Sequence, residues 1–200
     1  RTYLANDWLH TTIDAHGNAT RFWYDGQGNP LIIRDSEGNL TEAQYNPLGH
    51  RTRLEDPDMG IWGYTYNGLG ELQSQIDANG QQTVYSYDDL GRQTLRVVSN
   101  PSDPELGSIA DTWEYDEPNG GQTRNGQLTS EQRTQGMLQF NGDDPVPFAA
   151  DTWKKFYAYD AALRPTGYST TIHPHSYGNQ GNAPIINAST YTVSMAYDSY

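Results

Sequence analysis

Tyrosine recurs every 21 residues along the first half of the chain, at Tyr3, Tyr24, Tyr45, Tyr66 and Tyr87, and a repeat of fixed period constrains the fold before any local propensity is considered. Other columns keep the same phase. Gly28, Gly49, Gly70 and Gly91 follow the tyrosines by four places, and Asp14, Asp35, Asp56 and Asp77 by eleven. Gly17, Gly38 and Gly80 follow by fourteen, while Gly60 arrives one place late behind Met59. Each unit thus carries two Asp/Asn-x-x-Gly segments, such as Asp25-Gly26-Gln27-Gly28 and Asp35-Ser36-Glu37-Gly38. The side chain at the first place can accept from the backbone two residues on, and glycine at the fourth takes a positive φ, so each segment predicts a hairpin bend.

Removing two bends from a 21-residue unit leaves two segments of about six residues, the usual length of a strand. The unit is therefore a β-hairpin and the array an antiparallel meander. Alternation places Phe22, Ala43, Tyr64 and Tyr85, two residues before each tyrosine, on the tyrosine face. The expectation is a continuous aromatic seam running from unit to unit. Packed as a core, such a seam makes Tyr66→Ala cost about 3–5 kcal/mol.

Beyond residue 98 the spacing loosens while the signature persists in Trp113-Glu114-Tyr115-Asp116, Tyr157-Ala158-Tyr159-Asp160 and Met195-Ala196-Tyr197-Asp198. The chain divides into regular repeats over 1–98 and irregular repeats over 99–200, one continuous array. Three breaker-rich insertions, 99–110, 135–151 and 171–189, read as long loops, and Tyr191 to Tyr197 as the last strand. Helical periodicity is missing throughout, and the expected fold is all-β: tandem hairpins forming a curved antiparallel sheet. Tyr197-Asp198-Ser199-Tyr200 opens a further unit without its turn glycine, as a truncated array would.

Composition needs this repeat to make sense. Leu, Ile, Val and Phe supply only 32 of 200 residues and the net charge is -13, which together are marks of disorder. The 15 Tyr and 5 Trp argue otherwise, because they bury large areas when ordered. With 12 Lys and Arg against 25 Asp and Glu there is no basic stripe for nucleic acid or an anionic membrane. No apolar run approaches the roughly 20 residues of a membrane span. Arg1-Thr2-Tyr3 does not open a basic and apolar leader, and the absence of cysteine removes disulfides and thiolate zinc sites.

Tyr87-Asp88-Asp89-Leu90-Gly91-Arg92 matches the Y-D-x-x-G-R core of the YD repeats in full. Tyr24 to Gly28, Tyr45 to Gly49 and Tyr66 to Gly70 match it in part, and Tyr159 to Arg164 lacks the glycine. The chain resembles the YD repeats of bacterial Rhs proteins, found also in the B and C subunits of Tc insecticidal toxins and in teneurins. That resemblance implies a segment of a larger hollow β-shell, non-catalytic, enclosing a toxin or effector in the full-length protein. It implies further YD repeats and an enclosed C-terminal effector as partners, and a secreted or cell-surface location. Family toxins end their shell in a D-P-x-G-type motif linked to self-cleavage. Asp56-Pro57-Asp58-Met59-Gly60 only approximates it, so no protease residues are carried over.

Residue chemistry leaves few other sites. Calcium would bind best at Glu55-Asp56-Asp58 or Asp143-Asp144, but each turn offers one or two acids where several oxygens are needed. His173-Pro174-His175, with His10 and His16 more remote, reads as a surface bend rather than a metal site. No G-x-S-x-G elbow or phosphate-binding glycine loop occurs, so neither enzyme chemistry nor a cofactor is expected. The alternative function is a carbohydrate or cell-surface binding module. Trp113 and Trp153 share the faces of Tyr115 and Tyr159, whereas Trp23 and Trp62 are assigned to the opposite phase and are the candidate sugar-stacking residues. The repeat positions Tyr24, Tyr45, Tyr66, Tyr87, Gly28, Gly49, Gly70 and Gly91 are expected to be structural.

Overall fold

The computed structural model describes residues 1–100, 107–116, 126–141, 144–160, 164–173 and 189–194. It is all-β among those residues, with strands following one another in chain order and every recorded pairing antiparallel. Two compact units divide the chain at residue 82. The first holds β1 (Thr2–Tyr3), β2 (Leu9–Ile13), β3 (Ala19–Tyr24), β4 (Pro30–Arg34), β5 (Leu40–Tyr45), β6 (Arg51–Asp56), β7 (Gly60–Tyr66) and β8 (Leu72–Ile76). In the second are β9 (Gln82–Tyr87, from its second residue), β10 (Gln93–Ser99), β11 (Ser108–Tyr115), β12 (Leu128–Asn141), β13 (Asp144–Tyr159), β14 (Pro165–His173) and β15 (Ser189–Ser194).

The predicted bends are present at both ends of the unit and are built alike. Asp25 accepts from the backbone N–H of Gln27 and of Asn29 through one carboxylate oxygen, and the second oxygen takes the Asn29 side-chain amide at 2.8 Å. Around it the Asp25 N–H donates to the Asn29 carbonyl and the Gly28 N–H to the Asp25 carbonyl. This is a type I turn closed by a left-handed residue, Gly28 at φ 92°. Asp7 holds the same place in the first unit at φ 63°, so the turn tolerates a non-glycine where the sequence departs from the repeat.

Register shows why the repeat is not a flat ladder. Phe22 lies opposite Ile33, and Ile33 opposite Thr41, so the lateral neighbour of Phe22 two strands on is Thr41 rather than its repeat equivalent Ala43. Likewise Ala43 leads through Leu54 to Trp62 and not to Tyr64. Each unit steps two residues along the strand direction. Equivalent side chains are then about 12 Å apart, from two strand spacings and two residue rises. The continuous aromatic seam expected from the sequence does not form, because that distance exceeds ring contact. A bulge accompanies five of the tyrosine strands: Trp23 faces Ile32 and Tyr24 faces Pro30, leaving Leu31 unopposed, and Thr52, Gln73, Thr129 and Thr166 repeat the arrangement.

Two further expectations are corrected. Residues 135–151 are not a loop: β12 and β13 pair from Ser130↔Phe156 out to Asn141↔Asp144, forming a long hairpin arm. Pro145 and Pro147 concealed it, although proline is compatible with a strand where its missing N–H is not needed for pairing. The insertion beginning at residue 99 likewise ends in strand β11, while 101–106 and 174–188 lie outside the described residues. The last strand is Ser189–Ser194, and 195–200 also lie outside them. Burial is shallow as well. Among the described residues the buried apolar side chains are Leu54, Val97 and Ala110. Tyr66 is half-buried, so Tyr66→Ala is expected to cost about 2–3 kcal/mol, below the value for a fully buried ring.

Turn geometry separates two neighbouring glycines. A Cβ on Gly70, at φ 85°, would stand 2.8 Å from the His50 ring, whereas one on Gly68 meets nothing. Gly70→Ala is expected to lower stability by about 1–2 kcal/mol or more, with Gly68→Ala within about 0.5 kcal/mol of wild type, read from denaturant midpoints.

Candidate functional site

The repeated tyrosine is a clasp between neighbouring hairpins. At five repeat positions its hydroxyl donates to a main-chain carbonyl of the preceding hairpin: Tyr24 to Leu9 at 2.8 Å, Tyr45 to Pro30 at 3.1 Å and Tyr66 to Arg51 at 2.9 Å. Tyr115 reaches Gln93 at 3.1 Å and Tyr159 reaches Leu128 at 2.9 Å. The acceptor always lies two residues beyond the last ladder pair. Strands β4 and β5 pair up to Ile32↔Glu42, and β6 and β7 up to Arg53↔Gly63, leaving the Pro30 and Arg51 carbonyls past the end of each ladder. A backbone carbonyl needs a partner, and the phenol supplies it where the strands part. Strands β10 and β11 stop at Leu95↔Thr112, and β12 and β13 at Ser130↔Phe156, with the same relation to Gln93 and Leu128.

A second column completes the clasp. At three of the five clasps the residue just before the acceptor packs on the tyrosine: the Trp8 ring lies 5.3 Å from Tyr24, His50 lies 4.8 Å from Tyr66, and the Arg92 guanidinium lies 4.4 Å above Tyr115. The next turn glycine makes room for the same group. A Cβ on Gly28 would come within 2.9 Å of Trp8, and one on Gly49 within 3.5 Å of Asn29. Trp8, Asn29, His50 and Arg92 fall on the 21-residue period with Glu71 between the last two, yet they share no chemistry, so a search for recurring residue types passes over them. Arg92 also bridges two turns, pairing with Asp88 and with Asp116, each at 2.7 Å.

Charge is spent in a similar way elsewhere. Side-chain and backbone hydrogen bonds, led by the Asn29 amide, hold the Asp25 carboxyl below the usual range, and Asn39 does the same for Asp35. In the second unit Arg96, Asp111, Arg133, Trp153 and Ile172 stand opposite one another across β10 to β14. Asp111 is buried and is gripped by Arg133 Nε at 2.6 Å and by Arg96 Nε at 3.0 Å, with a second nitrogen from each. Burial pushes its carboxyl up, but the two guanidiniums outweigh burial and hold it below the ordinary value.

The expected site residues are not drawn together. Trp23 is 39 % exposed and meets His10 edge-on at 6.4 Å. Trp62 does not lie on the opposite phase: it is four residues before Tyr66 and shares that face, its ring stacked beside Tyr64 at 6.5 Å and its N–H given to the Met59 carbonyl. Asp56 is occupied by the Asp58 and Met59 N–H groups and the Thr41 hydroxyl, and Glu55 by Arg53. No group of three potential metal ligands occurs among the described residues. Pro174, His175 and Asp143 lie outside them, as do the side chains of His173 and Asp144. Gly28, Gly49, Gly70 and Gly91 all have positive φ, and Tyr87 ends β9 as the other repeat tyrosines end their strands.

These contacts make the chain a tandem β-hairpin array in which a tyrosine hydroxyl holds one hairpin to the one before it. Residues 66–101 match the family model of the RHS Repeat, in line with the motif read from Tyr87 to Arg92. No curated protein matches the chain. Among solved structures it is similar to the pore form of the Photorhabdus luminescens Tc holotoxin, at 19 % identity and a TM-score of 0.61 over 96 % of this chain and 9 % of that one. It is similar also to TcdB2-TccC3-TEV, at 17 % identity and 0.50 over 95 % of this chain and 11 % of that one. At these identities the likeness is one of fold, and the chain spans about a tenth of the length of those proteins.

Two outcomes follow from the clasp and the buried carboxylate. Tyr66→Phe keeps the ring against His50 and loses only the bond to Arg51, so unfolding should show a loss of about 0.5–1.5 kcal/mol. Asp111 has a folded pKa below its unfolded value, so its contribution is complete above the unfolded value of about 3.9 and is lost as pH falls through the folded one. Asp111→Asn should therefore be less stable than wild type at neutral pH, with the gap closing in acid, as measured by thermal unfolding across pH.

Proposed function

We propose that this chain is a non-catalytic wall segment of an Rhs-type shell, whose full-length protein encloses or presents a toxin or effector. The observation that carries the reading is the clasp itself. It is made from the hairpins' own backbone and turn residues, and it recurs at Tyr115 and Tyr159 after the spacing has become irregular. A unit that spends its aromatic, glycine and acidic residues on gripping its neighbour is suited to building an extended sheet. The fold of Tc toxin components supports the same reading.

Further repeats and an enclosed effector are the partners this function requires, and secretion is the location that fits a toxin shell. No helix among the described residues is long and apolar enough to cross a membrane. The carbohydrate-binding alternative at Trp23 and Trp62 loses support, because Trp62 is engaged by Tyr64 and by Met59.

Limited proteolysis of a full-length protein containing this segment tests the reading. An enclosed effector should resist protease when the repeats are intact and become cleavable when Tyr45→Ala and Tyr66→Ala loosen two clasps. Equal cleavage of the effector in both proteins would overturn the wall function.

A further inference from the structure

The row that buries Asp111 continues into a hollow of about 300 Å³ lined by Arg133, Gln135, Thr152, Trp153, Thr170 and Ile172. Arg133, Trp153 and Ile172 face one another directly on β12, β13 and β14, while Gln135 and Thr170 lie two residues along from Arg133 and Ile172 on the same face. We propose that this hollow is a binding site for one carboxylated sugar residue of the hexuronate type. The site is independent of the wall function and uses neither tryptophan singled out from the sequence.

Three observations support it. Arg133 grips Asp111 through Nε and Nη2, the same edge of its planar guanidinium, so the two N–H groups of Nη1 sit on the other edge and have no partner among the described residues. Arg133 and Arg96 share one carboxylate, leaving one positive charge over in that cluster of a protein whose net charge is -13. Arg133 is 39 % exposed, so this charge is accessible to solvent, whereas Asp111 is not. An anion is what such an arrangement attracts, and a carboxylate matches a guanidinium edge in shape.

The remaining lining selects the rest of the ligand. Trp153 offers a flat apolar surface of the kind on which the C–H face of a pyranose stacks, and Ile172 extends it. Gln135 and Thr170 bring an amide and a hydroxyl, neither bonded to a described residue, as partners for ring hydroxyls, while Thr152 borders the hollow from a strand position whose side chain faces the other side of the sheet. A volume of about 300 Å³ is at the lower end for ligand pockets and suits a single sugar ring. An extended acidic peptide would use the guanidinium but would leave the tryptophan face and the Thr170 hydroxyl without a role.

Titration of the 200-residue chain with methyl glucuronide, followed by amide and indole NMR signals, tests the proposal. Saturable shifts at Gln135, Trp153 and Thr170 are expected at about millimolar ligand, with methyl glucoside at least about tenfold weaker for lack of the charge-assisted bond. The double substitution Gln135→Ala and Thr170→Val leaves the Arg96–Asp111–Arg133 cluster intact. It should weaken glucuronide binding by about tenfold at an unchanged unfolding midpoint. Absence of saturable shifts, equal binding of the neutral glucoside, or full affinity in the double variant would overturn the site. A short Asp-rich peptide that binds as tightly as the glucuronide would overturn the sugar assignment.

Discussion

The bond from a tyrosine hydroxyl to the carbonyl of the preceding hairpin is the constraint on which the array depends. Where two neighbouring strands stop pairing, the next lateral carbonyl has no N–H opposite it, and the phenol takes that place at 2.8–3.1 Å. The ring must then lie across the opening between hairpins. One side of that opening is filled by the residue preceding the acceptor, and the space for that residue is kept by a glycine in the next turn. Tyrosine, glycine and packing residue thus act as one joint, and removing any of them leaves the other two without a surface.

This joint explains how the chain folds with so few aliphatic side chains. Stability is distributed over half-buried contacts at successive hairpin ends rather than gathered in one interior, in keeping with Leu54, Val97 and Ala110 being the buried apolar residues among those described. Repeat arrays built from neighbour contacts behave in this way. Spacing can also vary without loss of the joint. Donor and acceptor are 15 residues apart in the regular repeats, 22 at Tyr115 and 31 at Tyr159, so insertions leave the array as longer hairpins or connections while the clasp persists.

Much of this architecture was legible because Tyr24, Gly28 and Asp25 are chemically demanded at their places. A phenol is needed to reach the carbonyl, a glycine to take φ 92° beneath Trp8, and a carboxylate to cap two N–H groups. The packing column was hidden because tryptophan, histidine and arginine can each cover a ring, so no single residue type recurs there. The two-residue step was hidden for another reason: register across three strands depends on one unopposed residue, Leu31 or Thr52, that carries no distinctive side chain. The step is also why a seam inferred from Phe22, Ala43 and Tyr64 gave way to separate contacts. At 135–151 the prolines and glycine outweighed an Asn-Gly pair that is itself a hairpin signal. The site around Arg133 was not legible at all, since its residues come from three strands and share no period.

A double-mutant cycle between His50 and Tyr66 tests the clasp most directly, using His50→Ala, Tyr66→Ala and the pair, with stability measured by denaturant unfolding. If histidine and tyrosine act as one joint across neighbouring hairpins, the losses should be non-additive, with a coupling of about 0.5–1.5 kcal/mol. Additive losses would mean that each side chain acts alone, and would contradict the account of hairpins held together by a shared tyrosine contact.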